Sequence, residues 1–219
     1  AHTNDGYVLS QQTTWNAARI ATSGTFASST GTANTSGISA IKLASRAGGY
    51  VYRIYRSFFY FNTSGINTTV SSATLKIHGQ TFGGADIIAV KATSDIETLG
   101  TGDFNAIVGW SLDAGVSDGG DQESNVTKYS AEETTWTTSG YNSITLNGQA
   151  RLDMENDDTL YIALLEYDHD LTANEPLGYI PRSGLRYSNY SNTSSDPYID
   201  YTAAAATTTE NAIFFGANF

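Results

Sequence analysis

The sequence predicts an all-β fold: a single antiparallel β-sandwich or jelly roll, with an extended N-terminal segment and a short C-terminal tail. Short runs of β-branched and aromatic residues recur between segments rich in Gly, Ser, Thr and Asn, which is the pattern of strands joined by turns. Charged residues make up only 15% of the 219 residues, below the roughly 25% usual in soluble domains. Helical periodicity is nearly absent, and no internal repeat indicates a solenoid or a propeller.

The individual strands are predicted from local patterns. Tyr50–Phe61 is rich in aromatic and β-branched residues and contains neither Pro nor Gly, which favours a strand. In Val70–Gly79, apolar and polar residues alternate from Ala73 onward, as in a strand with one face in the core. Thr159–Glu166 is almost continuously apolar, which is typical of a sheet centre. Further strands are predicted at Ala85–Lys91, Ser143–Asn147, Gly184–Ser188 and Asp196–Thr202, and brief helices at Thr101–Val108 and Gly148–Asn156.

These elements divide the chain into three parts. Residues 1–49 are dominated by Ser, Thr, Gly and Ala, with apolar residues spread too thinly for helices, and we interpret them as an edge strand with long loops or as an arm. Residues 50–202 form the predicted jelly-roll domain. Residues 203–219 combine a low-complexity linker with an aromatic tail.

The aromatic tail carries four large apolar side chains in its last seven residues: Ile213, Phe214, Phe215 and Phe219. Burying a side chain of this size stabilises a protein by about 1.5–3 kcal/mol, so we expect these residues to be covered. Two alternatives follow. The tail folds back onto its own domain, or, because the linker gives it reach, it docks on another subunit or partner.

Composition excludes several classes of function. The net charge of −11 and the pI of about 4.5 argue against nucleic-acid binding, which depends on clustered Lys and Arg. There is no Cys, so disulfides, thiolate metal sites and a Cys nucleophile are ruled out. No stretch approaches the length of apolar residues that a membrane span requires, and we expect no membrane association.

We predict that the protein is not an enzyme. Glycosidase chemistry would need two carboxylates facing one another, and Glu132, Glu133, Glu166 and Asp168 are available without any pattern that places two of them together. For His169, between two Asp residues, the alternatives are a histidine hydrogen-bonded to neighbouring acids, a metal ligand or a proton acceptor.

No cofactor is expected, with one candidate exception. Calcium takes carboxylate oxygens from irregular loops, and four acidic residues crowd one Gly-rich loop: Asp113, Asp118, Asp121 and Glu123. Their spacing matches no EF-hand. Three aromatic residues, Trp15, Trp110 and Trp136, could stack on sugars if exposed, or could serve as core or loop anchors.

The segment Arg56–Gly79, with its Arg-Ser-Phe-Phe-Tyr-Phe strand, Gly-containing turn and Ser-Ala-Thr-Leu strand, resembles DNRLRE-type jelly-roll domains, which are similar to carbohydrate-binding modules. Tyr141–Asn147 and Asp196–Thr202 also fit the pattern, so the likeness covers roughly Tyr50 to Thr202. Such domains occur in secreted surface proteins and in virion structural proteins of tailed bacteriophages. The resemblance implies a scaffold and supplies no catalytic residue.

The lack of Cys makes the chain most similar to the phage members. The resemblance then implies a virion structural protein assembled in the host cytoplasm, in the first place a capsid decoration or cement protein. Its expected partners are the major capsid protein or another virion protein and sister subunits, in a homo-oligomer for which a trimer is one arrangement. The alternative is an extracellular carbohydrate-binding module or adhesin, acting in a tail fibre or on a cell-surface glycan.

Overall fold

Ten strands and two short α-helices appear in the computed structural model, which describes residues 1, 3–177, 181–191 and 193–204. All strand pairs in this part of the chain are antiparallel. The strands are β1 (Gly6–Gln12), β2 (Phe26–Ser28), β3 (Ala33–Ala44), β4 (Tyr50–Asn62), β5 (Val70–Gly83), β6 (Ile87–Lys91), β7 (Tyr141–Thr145), β8 (Thr159–Glu166), β9 (Arg182–Arg186) and β10 (Tyr198–Ala203), and the helices are α1 (Trp15–Arg19) and α2 (Gly148–Asn156).

The strands form two layers. In the first, β5 lies between β10 and β7, with Leu75 opposite both Ile199 and Ile144. In the second, β4 pairs with β1 along one side and with β3 and then β8 along the other, and β8 continues to β6. β9 connects the layers because it pairs with β3 and with the last residues of β5. The predicted antiparallel sandwich is confirmed.

The main core lies between the two layers. Leu75 and Ile77 of β5 meet Phe59 of β4 and Ile162 of β8, and all four side chains are at most 1% exposed. Alternate residues of a strand point to opposite faces, so neighbouring residues such as Phe58 point away from this core.

A second core covers the outer face of β4, β6 and β8. Phe58, Val90 and Leu165 point into it and are covered by the helix α1 and by the loops around Ile96 and Phe104, which include 3-10 turns at Ser94–Thr98 and Thr101–Asn105. This layer is therefore buried on both faces, which explains why β8 is almost continuously apolar and why β4 has aromatic and aliphatic side chains on both faces. Within the described residues, no helix has the length and apolar character needed to cross a bilayer.

The N-terminal segment, predicted as an edge strand with long loops or as an arm, supplies three strands in the described chain, and one of them, β2, pairs with β1 at the edge of the sheet. β1 and β3 both pair with β4, and β3 lies inside the sheet between β4 and β9. Several buried positions of β3 hold small residues, among them Ser36, Gly37 and Ser39, because neighbouring side chains approach closely there: Ser57 Oγ donates to the Gly37 carbonyl at 2.6 Å. The sandwich thus begins at β1 rather than at residue 50.

Candidate functional site

An apolar groove opens beside β10, at the end of the sandwich where the chain leaves its last described strand. Ile199 and Tyr201 of β10 form one wall. The end of β4, the turn after it and the helix α2 form the other wall through Phe61, Ile66 and Met154. The groove has a volume of about 270 Å³. We call it the β10 groove.

The strand β10 is also an open edge. It pairs with β5 on one side, and no strand within residues 1–204 that the structure describes pairs with its other side. Tyr198 and Tyr201 are 44% and 45% exposed. The Ala204 N–H donates to the Thr69 carbonyl at 2.7 Å and fixes the point from which the chain continues. An unpaired edge and exposed rings together make a surface suited to binding another chain.

The aromatic tail itself, with Ile213, Phe214, Phe215 and Phe219, lies outside the described residues. Its predicted assembly role therefore stays a prediction. What the structure adds is that the β10 groove and the open edge belong to the element directly before the tail.

A second concave site contains a cluster of five titratable residues. Asp86 lies between β5 and β6, and Glu132 lies in the segment that leads to β7. Glu166 ends β8, and Asp168 and His169 belong to the π-helical turn Tyr167–Leu171 that follows. Four of the five, all but Glu132, line a cleft of about 290 Å³. Glu132 belongs to the same cluster, because one of its ligand atoms lies within 4.8 Å of those of Asp86 and Asp168. We call the site formed by these five residues the acidic cleft.

Hydrogen bonds fix the inner half of the acidic cleft. Glu166 Oε2 accepts from the His169 N–H at 2.7 Å and from the Asp170 N–H at 3.2 Å, and Glu166 Oε1 lies 3.1 Å from His169 Nδ1. Burial raises the pKa of Glu166 against these hydrogen bonds. Burial alone would lower the pKa of His169, but the hydrogen bond and charge of Glu166, together with the charges of Asp168 and Asp86, raise that pKa. His169 is thus hydrogen-bonded to a neighbouring acid, one of its predicted alternatives.

In the outer half of the acidic cleft, burial and the charges of neighbouring carboxylates raise the pKa values of two acids. Burial and then the charge of Asp168 raise the pKa of Asp86. Burial followed by the charges of Asp168 and Asp86 raises the pKa of Glu132. The ligand atoms of Asp86, Glu132 and Asp168 lie within 4.8 Å of one another. Those of Glu166, Asp168 and His169 do so as well. The first group offers only carboxylate oxygens, which hard cations bind, and the second adds an imidazole nitrogen, which suits transition metals.

The loop predicted to bind calcium is arranged differently. Asp118 Oδ1 accepts from the Gly120 N–H at 3.1 Å, and Asp121 Oδ1 accepts from the Glu123 N–H at 2.7 Å. Glu123 forms an ion pair with Lys128 at 3.0 Å. Asp113 is part of the same loop through its N–H, which donates to the Gly119 carbonyl. In the described chain, the groups of three converging ligand atoms occur in the acidic cleft and not among these four residues.

The three tryptophans lie inside the protein to different degrees. Trp15 is 4% exposed and its Nε1 donates to the Ala173 carbonyl at 3.4 Å. Trp136 is 8% exposed and donates to the Gly184 carbonyl at 2.9 Å. Trp110 is half-buried, with the Arg56 guanidinium 3.9 Å from its ring centroid. In this arrangement the rings of Trp15 and Trp136 are covered and anchor loops to the sandwich.

A buried charge cluster lies next to Trp110 and was not predicted from the sequence. Arg56 on β4 donates to both carboxylate oxygens of Asp170, and Arg19 donates to the backbone carbonyls of Asp170, Asp118 and Leu171. The two arginines thereby tie α1, β4 and the π-helical turn together. Only the Arg of the Arg-Ser-Phe strand could have pointed to it, since charge within an apolar strand needs a buried partner.

These sites differ in what they can do chemically. The β10 groove and open edge can bind an extended or aromatic segment of a protein chain, whereas the acidic cleft offers oxygen and imidazole donors for a cation. No protein-family model matches the sequence, and no curated protein matches it.

Proposed function

We propose that this chain is a structural building block of a virion, in the first place a capsid decoration protein, which binds its neighbours through β10 and the aromatic tail. One juxtaposition carries the proposal: the open edge of β10, two half-exposed tyrosines and an apolar groove lie together on the element that leads into the tail. An unpaired strand edge is a template for association with another chain.

The rest of the molecule fits a load-carrying role. The layer that contains β4, β6 and β8 is covered on both faces by apolar side chains, and the Arg56–Asp170 pair fixes loops to it from within. Close packing of this kind transmits strain with little deformation. The net charge of −11 keeps free subunits apart and soluble at the high local concentrations of assembly.

The proposed partners are the major capsid protein or another virion protein, together with sister subunits. A decoration protein that follows capsid symmetry meets copies of itself around symmetry axes, and a trimer is one closed arrangement. The resemblance to DNRLRE-type jelly rolls supports this choice of assembly, because such domains occur in virions of tailed bacteriophages.

The proposal is tested by sedimentation with particles assembled from the products of the neighbouring genes. The full chain is expected to sediment with the particles, and a variant lacking residues 213–219 is expected to remain largely in the supernatant. A full chain that stays in the supernatant would contradict the proposal. A glycan-array signal that is lost on Tyr198→Ala, with no particle binding, would favour the carbohydrate-binding alternative instead.

A further inference from the structure

We propose that the β10 groove is the docking site of the chain's own aromatic tail, Ile213–Phe219, in the free protein. The groove begins on the strand from which the tail departs, and its walls come from β4, the following turn and α2. Three observations support this occupant: the chemistry of the two surfaces, the size of the groove and the length of the connecting chain.

The two surfaces match in polarity. The side chains that line the groove are apolar, aromatic or neutral polar, the last being Asn62 and Thr63. Residues 213–219 likewise contain no Asp, Glu, Lys or Arg. Ala1 also lines the groove, and its ammonium donates to the Pro197 carbonyl at 2.5 Å. The other lining residues carry no charge, so an apolar segment that packs against them has no charged side chain to desolvate.

The groove has room for aromatic side chains. A cavity of roughly 150 Å³ accepts one benzene molecule, and the β10 groove measures about 270 Å³. It therefore holds one phenylalanine ring with space for much of a second. Tyr201 and Met154 in its walls offer an aromatic ring and a thioether, both of which pack well against phenylalanine.

The length of the chain favours the tail of the same molecule over that of a second copy. Tyr201 precedes Ala204, the last described residue, by a distance of roughly 10 Å along the strand. The eight residues 205–212 can span up to about 28 Å, so the tail can turn back and reach the groove. A short tether of this kind gives an effective concentration in the millimolar range, far above that of separate chains in dilute solution.

Docking would cover both apolar surfaces in the free chain. The groove and the tail are then withheld from non-specific association until a binding partner competes for the tail. Docking concerns the isolated protein, so it is tested separately from the particle binding proposed above.

The test uses engineered disulfides, which form only when two Cα atoms approach to within about 7 Å. The chain has no Cys, so a single introduced pair can be assigned without ambiguity. One variant combines Tyr201→Cys with Ala217→Cys. Its matched control combines Thr202→Cys with Ala217→Cys, because Thr202 is adjacent in sequence and exposed but points to the opposite face of β10. Ala217 leaves all four large apolar side chains of the tail in place.

Oxidation is followed at low protein concentration on non-reducing gels and by mass spectrometry. We expect an intramolecular disulfide to form several-fold faster in the Tyr201 variant than in the Thr202 variant. Adding Phe214→Ala and Phe215→Ala should remove that difference. Equal rates in the two variants would overturn own-chain docking, and so would disulfides that join two chains, because they would identify a second copy as the occupant. A chain without preferential cross-linking that still sediments with particles would overturn docking alone.

Discussion

At the scale of residues, the Arg56–Asp170 ion pair is the clearest case of buried charge. Both side chains are fully buried, and Arg56 Nε and Nη2 lie 2.7 and 2.8 Å from the two carboxylate oxygens. Arg56 Nη1 donates to the Phe104 carbonyl at 2.7 Å, and the ring of Phe104 lies 4.0 Å below the guanidinium. Each of the three guanidinium nitrogens thus donates to a partner, as a buried charge requires.

Replacing Asp170 tests that pair. In Asp170→Asn the Arg56 charge stays buried without its counter-charge, and we expect the free energy of unfolding to fall by about 3–5 kcal/mol. Urea denaturation measures the change. Glu175→Gln is the control, since the Lys42–Glu175 pair is closer to solvent and exposed pairs contribute little. Equal losses in the two variants would show that the buried pair has no special role.

Asp5 carries the second residue-scale prediction. It is 1% exposed just before β1, and it accepts from the Ser188 N–H and Oγ. Burial outweighs these hydrogen bonds and raises the pKa of Asp5 from 3.8 to about 6. Between these two values the folded chain keeps a proton that the unfolded chain has lost. The contribution of Asp5 to stability is therefore full below about pH 4 and decreases as the pH rises to about 6.

The variant Asp5→Asn removes this titration. Relative to the variant, the wild-type free energy of unfolding should fall on the order of 2–3 kcal/mol between about pH 4 and pH 7. Thermal or urea unfolding across that range measures the difference. The other carboxylates remain in both proteins, so their titration cancels in the comparison. Parallel curves for the two proteins would disprove the assigned pKa.

At the scale of elements, β4 and β3 show which strands can be predicted from sequence. β4 was predictable because both of its faces need apolar side chains, and its predicted start at Tyr50 is the observed one. β3 was not, because its buried small residues have the composition of a loop. At Gly37, an added Cβ would lie 2.9 Å from Tyr187 Oη and 3.2 Å from Ser57 Oγ. Such a close approach is set by tertiary packing and leaves no trace in local sequence patterns.

Gly184 on β9 tests how closely the backbones approach where the two layers join. A Cβ at this position would lie 1.7 Å from the Gln80 carbonyl oxygen, so Gly184→Ala forces the backbone to shift. We expect a loss of at least about 1–3 kcal/mol in unfolding free energy. Gly65→Ala is the control, because an added Cβ there meets nothing within 4 Å. A Gly184 variant as stable as the Gly65 variant would contradict the observed packing.

The candidate sites were predictable only in their parts. A strand was predicted at Asp196–Thr202, which overlaps most of β10 (Tyr198–Ala203). The groove combines β10 with Phe61, Ile66 and Met154, which are far from it in the chain. Glu132, Glu166, Asp168 and His169 stood out as titratable residues, yet their convergence depends on the π-helical turn and on the register between β6 and β8. Long-range pairing of this kind is not encoded in the spacing of a single segment.

At the scale of the whole molecule, the apolar groove and the open strand edge lie together on β10 of a closely packed sandwich. The layer around β4 is enclosed on both faces, while β10 has an unpaired edge within the described chain and leads into the aromatic tail. A closely packed domain with an exposed apolar surface and an unpaired strand edge is suited to bind a larger assembly. We therefore propose that β10 and the tail mediate attachment to the particle.

Particle binding by a β10 variant tests this attachment. Tyr198→Lys with Tyr201→Lys places two charges on the proposed binding surface, and the matched control, Phe26→Lys with Tyr50→Lys, alters two side chains that are similarly exposed, at 50% and 54%, on β2 and β4. The measurement is the occupancy of each folded variant on particles assembled from the neighbouring gene products. We predict that the β10 variant is lost from the particles while the control stays bound. Equal occupancy of both variants would contradict the proposed attachment.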